Sequence, residues 1–190
     1  KLDDLLQHSS EWLKGTGPNS DIVISSRIRL ARNLDKVPFS HWADKETSAN
    51  TLETILAAIA KAAPLKKAAV FKLADLDSVD KQFLVERHLM SVEHAQKSDS
   101  KAVVIDDEEI ISLMVNEEDH LRIQVMQSGF NLFEAWNIVG AIDDALAKEL
   151  HIAFLPDWGY LSSCPTNTGT GMRCSVMLHL PALVMTRQID

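Results

Sequence analysis

Two apolar runs near the middle of the chain are separated by only five polar residues, the stretch NEEDH at residues 116–120. The runs, residues 110–115 and 121–126, have the composition and length of β-strands. A connection this short cannot hold the helical crossover that parallel strands need, so the two strands must pair antiparallel. Further strands are predicted at residues 22–31, 69–73, 102–105 and 172–180.

Three segments have a helical pattern. NTLETILAAIAKAA (residues 50–63) has Asn50 as its expected N-cap and Pro64 as its stop, and DSVDKQFLVERHLM (residues 77–90) predicts a second, shorter helix. NLFEAWNIVGAIDDALAKEL (residues 131–150) has the strongest apolar stripe, which we expect to face the sheet: Leu132, Trp136, Val139, Ile142, Leu146 and Leu150. These elements predict an α+β fold class, with a mainly antiparallel β-sheet and helices packed on one face.

The 190 residues suffice for one domain, which we expect at residues 21–190 after a short leader at residues 1–20. The chain has 27 acidic and 19 basic side chains and only 6% aromatic residues, which argues against binding to nucleic acid or to an anionic membrane. No apolar run approaches the roughly 20 residues of a membrane span. Cys164 and Cys174 lie outside any metal-ligand spacing, so we expect free thiols in a cytoplasmic protein.

Three of the predicted strands carry arginine on the face opposite their apolar residues. DIVISSRIRLAR, HLRIQVM and MRCSVMLHL alternate in this way, and the arginines concerned are Arg27, Arg29, Arg122 and Arg173. If the strands share a sheet with these faces aligned, four cations converge in an otherwise acidic protein, and their repulsion requires anions between them. A polyphosphate would meet this requirement.

Each arginine taken alone has a simpler explanation. Arginine commonly covers a solvated sheet face and pairs with a surface carboxylate. The repetition on three strands favours the converging cluster instead. Arg32 and Arg87 do not fall on the same strand faces and keep the simpler interpretation.

The residues CPTNTGTGMR lead into the third arginine strand. Their small and hydroxylic side chains, around Gly169 and Gly171, would let backbone N–H groups approach an anion closely. No Gly-Lys-Ser/Thr follows, so this is not a Walker A sequence, and a simple turn is the alternative.

Taken together and in this order, SSRIRLARN, NEEDHLR and CPTNTGTGMR resemble the motifs of the phosphagen (guanidino) kinase family, the ATP:guanidino phosphotransferases. The resemblance extends over about residues 21–180. The opening GPNSDIVISSRIRLARN is most similar to the bacterial branch of the family that phosphorylates arginine side chains in proteins. It implies that residues 21–190 are a guanidino kinase catalytic domain with a glutamine synthetase/guanidino kinase-like fold.

The resemblance implies that ATP and Mg²⁺ are the cofactors, without a separate protein metal site. The residues that it assigns to nucleotide binding are Ser25, Ser26, Arg27, Ile28, Arg29, His88, Arg122, Arg173, Cys174, Ser175, Val176 and Met177. His88 comes from the segment FLVERHLMS, and a histidine at a helix C-terminus is its alternative interpretation.

The resemblance assigns catalysis to Glu118 and Cys164. Glu118 would hold the acceptor guanidinium in a fixed plane and receive its proton, while Glu117 and Asp119 hold the turn or a magnesium-bound water. A solvated acidic turn is the alternative for this run. Cys164 corresponds to the reactive cysteine of the family, whose thiolate would be favoured by nearby cations, although a lone cysteine is more often a buried apolar residue.

The expected function is therefore that of an ATP-dependent protein arginine kinase bearing on stress regulation and protein turnover. Its expected partners are proteins that carry arginine, with an activator protein, protease machinery and a homodimer as further candidates. Two alternatives stay open, a kinase for a small free guanidino compound and an inactive nucleotide-binding remnant of the family. The sequence stops before the positions of the family's last phosphate-binding arginine and second substrate carboxylate. A C-terminally incomplete domain that is nearly inactive alone is therefore expected.

Overall fold

Eight strands and five α-helices lie within residues 9–189, the part of the chain that the computed structural model describes. The strands are β1 (Val23–Arg32), β2 (Ala69–Lys72), β3 (Ala102–Ile105), β4 (Ile111–Val115), β5 (Leu121–Ser128), β6 (Phe154–Leu155), β7 (Gly159–Tyr160) and β8 (Met172–Leu178). The helices are α1 (Lys45–Lys61), α2 (Ser78–Glu86), α3 (Val92–Gln96), α4 (Leu132–Ala147) and α5 (Pro181–Met185).

Six strands form one sheet in the order β2-β3-β4-β5-β1-β8, and every neighbouring pair is antiparallel. The tight connection between β4 and β5 forms a hairpin, as predicted. Asn116 takes a positive φ of 59° there, and its N–H donates to the carbonyl of His120 at 2.9 Å. The antiparallel α+β fold class is confirmed.

The two long helices, α1 and α4, pack on the same face of the sheet and enclose the main apolar core. In α4 the buried residues are Ala135, Val139, Ile142 and Leu146. The prediction that Trp136 faces the sheet is wrong, since 46% of its surface is exposed. Ala135, whose small side chain gave no signal, takes the buried position beside it.

A second, smaller apolar cluster covers part of the opposite face. It joins Leu84 of α2 to Val103 of β3 and Met114 of β4. This cluster lies over the β2-β3-β4 end of the sheet. The β5-β1-β8 end of the same face carries the arginines.

Two helix ends differ from the prediction. Asp44, not Asn50, caps α1, because the Asp44 Oδ1 atom accepts a 2.7 Å hydrogen bond from the Thr47 amide. The first turns of α1 are polar and mostly exposed, so they lack the apolar spacing on which the prediction depended. Helix α2 ends at Glu86 rather than continuing to residue 90, and His88 turns the chain with a φ of 60°.

The described part of the leader packs against the domain. Trp12 is buried, and the Glu11 side chain accepts a 2.9 Å hydrogen bond from the Ser128 amide at the end of β5. Residues 1–8 of the predicted leader lie outside the described residues. No helix between residues 9 and 189 is both long enough and apolar enough to cross a bilayer.

Candidate active site

The predicted arginine cluster forms on one face of three adjacent strands. Arg29 of β1 lies opposite Arg173 of β8 on one side and Gln124 of β5 on the other. Arg27 pairs in register with Ser175, and Ala31 with Arg122. Residues that pair across antiparallel strands point to the same face, so all four arginines share one surface. The convergence inferred from strand alternation is confirmed.

The cluster is strongly cationic and partly buried. Burial, and then the charges of Arg173 and Arg122, lower the pKa of Arg27. Burial and the neighbouring arginines lower the pKa of Arg29 to about 10, while Glu117 partly opposes this shift. Within residues 9–189, no carboxylate forms an ion pair with Arg27, Arg29 or Arg173. This donor set suits a ligand with several anionic oxygens.

Arg122 is held by the acidic hairpin that precedes it. Its Nη1 atom lies 2.6 Å from the Glu117 Oε2 atom, and its Nη2 atom lies 3.3 Å from the Glu118 Oε2 atom. Glu117 is almost fully buried and also accepts a short hydrogen bond from the Ser91 hydroxyl, at the N-cap of α3. Glu118 is 46% exposed. Glu118 is therefore the more accessible of the two glutamates.

Asp119 connects the hairpin to the loop that carries Cys164. Its Oδ1 atom accepts hydrogen bonds from the Asn33 Nδ2 atom at 2.7 Å and from the Ser163 amide at 2.8 Å. Asn33 Oδ1 in turn accepts from the His120 amide at 2.9 Å. Asp119 is completely buried, so these bonds fix the backbone beside Cys164. Asp119 thus anchors the hairpin to the loop that carries Cys164, while its alternative role, holding a magnesium-bound water, stays a prediction.

Alternation in HLRIQVM predicts that His120 shares the polar face of Arg122, but His120 is buried in this scaffold. Its Nδ1 atom accepts from the Leu34 amide at 3.0 Å, and its Nε2–H donates to the carbonyl of Pro38 at 2.8 Å. Burial lowers the pKa of His120, which is consistent with a neutral ring in this arrangement.

One cavity of about 200 Å³ brings the catalytic candidates together with the arginines. Glu118, Cys164, Arg29, Arg122 and Arg173 all line it. The Cys164 Sγ atom lies 3.0 Å from the Thr166 Oγ1 atom on the same loop. Two motifs that are about 45 residues apart in the sequence thus face one space beside the cationic cluster. Because the family resemblance assigns Glu118 to the acceptor guanidinium, we call this space the acceptor cavity.

The remaining nucleotide-binding candidates separate into two groups. Ser175 shares the arginine face and accepts a 3.2 Å hydrogen bond from the Arg27 Nε atom, and Ser25 and Met177 lie in register with each other farther along it. The candidates whose side chains point to the opposite face are Ser26, Ile28, Cys174 and Val176. Ile28 is buried in the main core, and the Ser26 hydroxyl binds the Gly129 carbonyl and the Asn131 amide. Side chains of this second group cannot contact a ligand on the arginine face.

His88 lies at the edge of the arginine face. Its carbonyl accepts a 2.7 Å hydrogen bond from the Nε2 atom of Gln124, the residue paired with Arg29. The exposed imidazole packs edge-on against Trp12, with 5.2 Å between ring centroids. The residue therefore follows a helix end, as its alternative interpretation requires, and also borders the arginine cluster.

Several amides of the glycine loop are not available to a ligand, contrary to expectation. The amides of Asn167, Thr168 and Gly169 donate to carbonyl groups within the protein, and that of Met172 donates to the Thr170 hydroxyl. Gly171 serves strand packing instead. A Cβ atom there would lie 2.6 Å from the Ala31 carbonyl oxygen, so glycine lets β8 approach β1 and set Arg173 opposite Arg29.

Arg32 and Arg87 each pair with a carboxylate, as their simpler interpretation requires, but both pairs are largely buried rather than on a solvated face. Arg32 is buried, forms two hydrogen bonds with Asp143 at 2.9 and 2.7 Å, and lies 3.6 Å from the centre of the Tyr160 ring. Arg87 forms an ion pair with the buried carboxylate of Glu109.

Sequence reasoning missed Ser91 and Asn33, which hold Glu117 and Asp119. The pattern SVEH identifies Ser91 as an N-cap candidate. The residues around Ser91 do not indicate its contact with Glu117. Both cysteines are free thiols, as predicted. Within residues 9–189, no cluster of three or more His, Cys, Asp or Glu side chains could hold a metal ion by itself.

Comparisons with a family model and with curated proteins both match this chain to guanidino-group phosphotransferases. Residues 50–190 match the family described as ATP:guanido phosphotransferase, C-terminal catalytic domain. The protein-arginine kinase of Halothermothrix orenii is 48% identical over 190 residues, which cover 100% of this chain and 54% of that protein. The protein-arginine kinase of Moorella thermoacetica is 50% identical over 188 residues, which cover 96% of this chain and 53% of that protein. The chain thus spans about half the length of the curated relatives it matches.

Solved structures share the fold at lower identity. The duplicated taurocyamine kinase from Schistosoma mansoni, with bound transition state analog components, has a TM-score of 0.82 and 24% identity, covering 99% of this chain and 27% of that chain. A lombricine kinase has a TM-score of 0.76 and 22% identity, covering 94% and 54% of the two chains. The sheet and helices described above are therefore those of a guanidino kinase catalytic domain.

Proposed function

Because the chain belongs to the ATP:guanido phosphotransferase family, we propose that it transfers the γ-phosphoryl group of ATP to the guanidino group of arginine residues in proteins. The acceptor cavity carries this proposal, since Glu118 and Cys164 face it together with three arginines of the cluster. The similarity to two protein-arginine kinases along nearly the whole chain supports protein-bound arginine as the acceptor. The domain would begin near residue 21, because β1 supplies Arg27 and Arg29.

The arginine cluster would bind the phosphates of ATP. Phosphoryl transfer asks a protein mainly to position the reactants and to stabilise charge on the phosphoryl oxygens. Arg27, Arg29 and Arg173 have no carboxylate ion-pair partner among residues 9–189, so they can bind phosphate without first breaking an ion pair. Arg122 is oriented by Glu117 at the edge of the acceptor cavity, where it can reach the group that is transferred.

Glu118 would bind the acceptor guanidinium. A guanidinium is protonated at neutral pH and is a poor nucleophile, so one of its nitrogens must lose a proton as the new phosphorus–nitrogen bond forms. Glu118 is half-exposed at the cavity and can accept two N–H bonds, which would fix the plane of the guanidinium and allow proton transfer to the carboxylate. Cys164 would line the other side of the same group.

Magnesium would enter with the nucleotide. Bound Mg²⁺ neutralises phosphate charge and orients the phosphate chain. The described residues contain no all-protein metal cluster, and Glu117 is already engaged by Arg122 and Ser91. The protein's own contribution would therefore be the arginine cluster and the acceptor cavity.

We further propose a cytoplasmic enzyme that acts in stress-linked protein turnover, with an activator protein and protease machinery as partners and a homodimer as its assembly. The two free thiols fit a reducing compartment. The rest of this setting depends on the family resemblance alone.

The test uses the full product of the gene with labelled ATP and magnesium, offered a generic protein and free arginine together. Acid-labile label in the protein is expected, because a phosphorus–nitrogen bond is lost in acid whereas an ordinary hydroxyl phosphoester survives. Label confined to free arginine would instead identify a kinase for a small guanidino compound. Nucleotide binding without any transfer would identify an inactive remnant of the family.

A further inference from the structure

Two further cavities continue from the acceptor cavity along the surface. The first, of about 400 Å³, shares Glu118 and Arg122 with the acceptor cavity. The second, of about 580 Å³, shares Glu93, Lys101 and Glu117 with the first. Together they form a continuous path from Glu118 towards Lys97, and we call this path the side groove. Each of its two parts is larger than the acceptor cavity, so a free guanidino compound that fills the acceptor cavity has no need of them.

The side groove is polar and structurally fixed. Every residue that lines its far part is polar or charged. Asn116 anchors this wall, because its Nδ2 atom donates to the carbonyls of Ser48 and Ser100 at 2.8 Å each. Asn116 immediately precedes the glutamates of the hairpin, so the wall of the groove and the acceptor cavity are built on one element. The groove therefore fits a polar ligand that is continuous with the acceptor group.

Lys101 lies where the two parts of the side groove meet. It is half-buried, and within residues 9–189 neither Lys101 nor Lys97 forms an ion pair. Burial lowers the pKa of Lys101, Lys97 lowers it further, and Glu117 partly opposes the shift. The carboxylate of Glu117 is itself paired with Arg122. The ammonium of Lys101 is thus a partly desolvated cation without a direct partner.

Carboxylates also line the side groove, but they are differently placed. Glu117 and Glu118 already pair with Arg122. Glu93 and Asp99 are both exposed to solvent, so water screens their charges. An anion in the groove would interact more strongly with the half-buried Lys101 than with these exposed groups. The chemistry of the groove therefore favours an anionic side chain.

We propose that the side groove binds the polypeptide that flanks the acceptor arginine in a protein substrate, and that Lys101 selects an acidic side chain there. The inference rests on the proposed function and specifies which sequence around the acceptor arginine the enzyme prefers. An arginine that reaches Glu118 from a polypeptide carries main chain and neighbouring side chains with it. The groove provides space for them on one side of the acceptor cavity.

The experiment compares peptides with a single arginine, phosphorylated by the full product of the gene. Glutamate is placed at each flanking position in turn and compared with glutamine at the same position. At the best position, kcat/KM for the glutamate peptide should exceed that for the glutamine peptide about fivefold, the size of a partly screened ion pair. Lys101→Met should remove this preference, and Lys101→Glu should reverse it in favour of a lysine peptide.

Lys67→Met is the matched control, because Lys67 is exposed and does not line the side groove. It should keep the preference, and ATP affinity should be unchanged in all variants since the nucleotide arginines are intact. Equal kcat/KM for both peptides at every position, or a preference that survives Lys101→Met, would overturn the groove assignment while the kinase function stands. If no peptide is phosphorylated at all, the proposed function fails and this inference fails with it.

Discussion

Arg29 of β1 and Arg173 of β8 lie directly opposite each other in the sheet, with no carboxylate paired to either within the described residues. Like charges in this arrangement destabilise a strand pair. The cost is tolerated because Gly171 and the β1–β8 ladder hold the strands together. An anion bound between the two guanidinium groups would turn this repulsion into attraction.

Polyphosphate should therefore stabilise the protein. Tripolyphosphate at about one hundred times its Kd should raise the free energy of unfolding by roughly 3 kcal/mol, measured by thermal or urea denaturation. Chloride at equal ionic strength is the control and should do much less, because it cannot bridge several arginines. Arg173→Gln should reduce the gain. An equal gain in that variant would place the anion elsewhere.

Acid should destabilise the protein in part through His94. Burial, followed by the charge of Lys101, lowers the pKa of His94 to about 3 in the folded protein from 6.5, and its Nε2–H donates to the carbonyl of Ala102 at 3.1 Å. Between these values the unfolded chain binds more protons, so the free energy of unfolding falls as the pH drops through this window.

The test compares the wild type with His94→Gln in urea denaturation. The wild type should lose on the order of 2 kcal/mol more than the variant between about pH 7 and about pH 4.5. Parallel pH profiles for the two proteins would contradict this account of His94.

Glycine should be essential at one position and dispensable at another. Gly171 has a φ of +62°, and an added Cβ atom would lie 2.6 Å from the Ala31 oxygen and 2.7 Å from the Arg32 Nη1 atom. Gly171→Ala should destabilise the protein by about 2 kcal/mol or more. Gly140 lies within α4 with open space around it, so Gly140→Ala should stabilise the protein by about 0.5–1 kcal/mol. Urea denaturation of both variants measures this contrast. Similar changes in the free energy of unfolding for the two variants would contradict the prediction.

Features set by local periodicity could be predicted from the sequence. The alternation along β1, β5 and β8 placed Arg27, Arg29, Arg122 and Arg173 on one face, and the short connection before Leu121 required a hairpin. Ends of helices were less predictable. The polar first turns of α1 concealed its start at Lys45, and Trp136 has the right spacing for burial but faces solvent.

Contacts between distant segments could not be predicted. Alternation in HLRIQVM predicts His120 on the polar face of Arg122, whereas it is buried and hydrogen-bonded to Leu34 and Pro38. Ser91 contacts Glu117 only because α3 packs beside the hairpin, and no local pattern in the sequence predicts this contact. Glu118 and Cys164 were assigned by family resemblance, and their common cavity depends on how the loop and the hairpin fold together.

Removing the Asp119 carboxylate should loosen the Cys164 loop. Asp119→Ala leaves the Asn33 amide and the Ser163 N–H without their buried acceptor, which should cost about 2–4 kcal/mol of unfolding free energy. Asp119→Asn keeps an acceptor oxygen and should cost less. In a Cys174→Ser background, the alanine variant should also raise the rate at which a thiol reagent modifies Cys164, because the loop is looser. An unchanged rate would show that Asp119 does not position this loop.

Neutralising either glutamate of the hairpin should impair the enzyme, but the two substitutions should affect different kinetic parameters. Glu118 is half-exposed at the acceptor cavity, so Glu118→Gln in the full gene product should lower kcat by about 10²–10⁴-fold while nucleotide affinity stays nearly unchanged. Glu117 is buried against Arg122 and Ser91, so Glu117→Gln should mainly raise the KM for ATP, because Arg122 loses its fixed position. Steady-state kinetics with ATP as the varied substrate, together with calorimetric ATP titration, separates the two effects. A large loss of ATP affinity in Glu118→Gln would place that carboxylate in the nucleotide site and leave the acceptor guanidinium without its base.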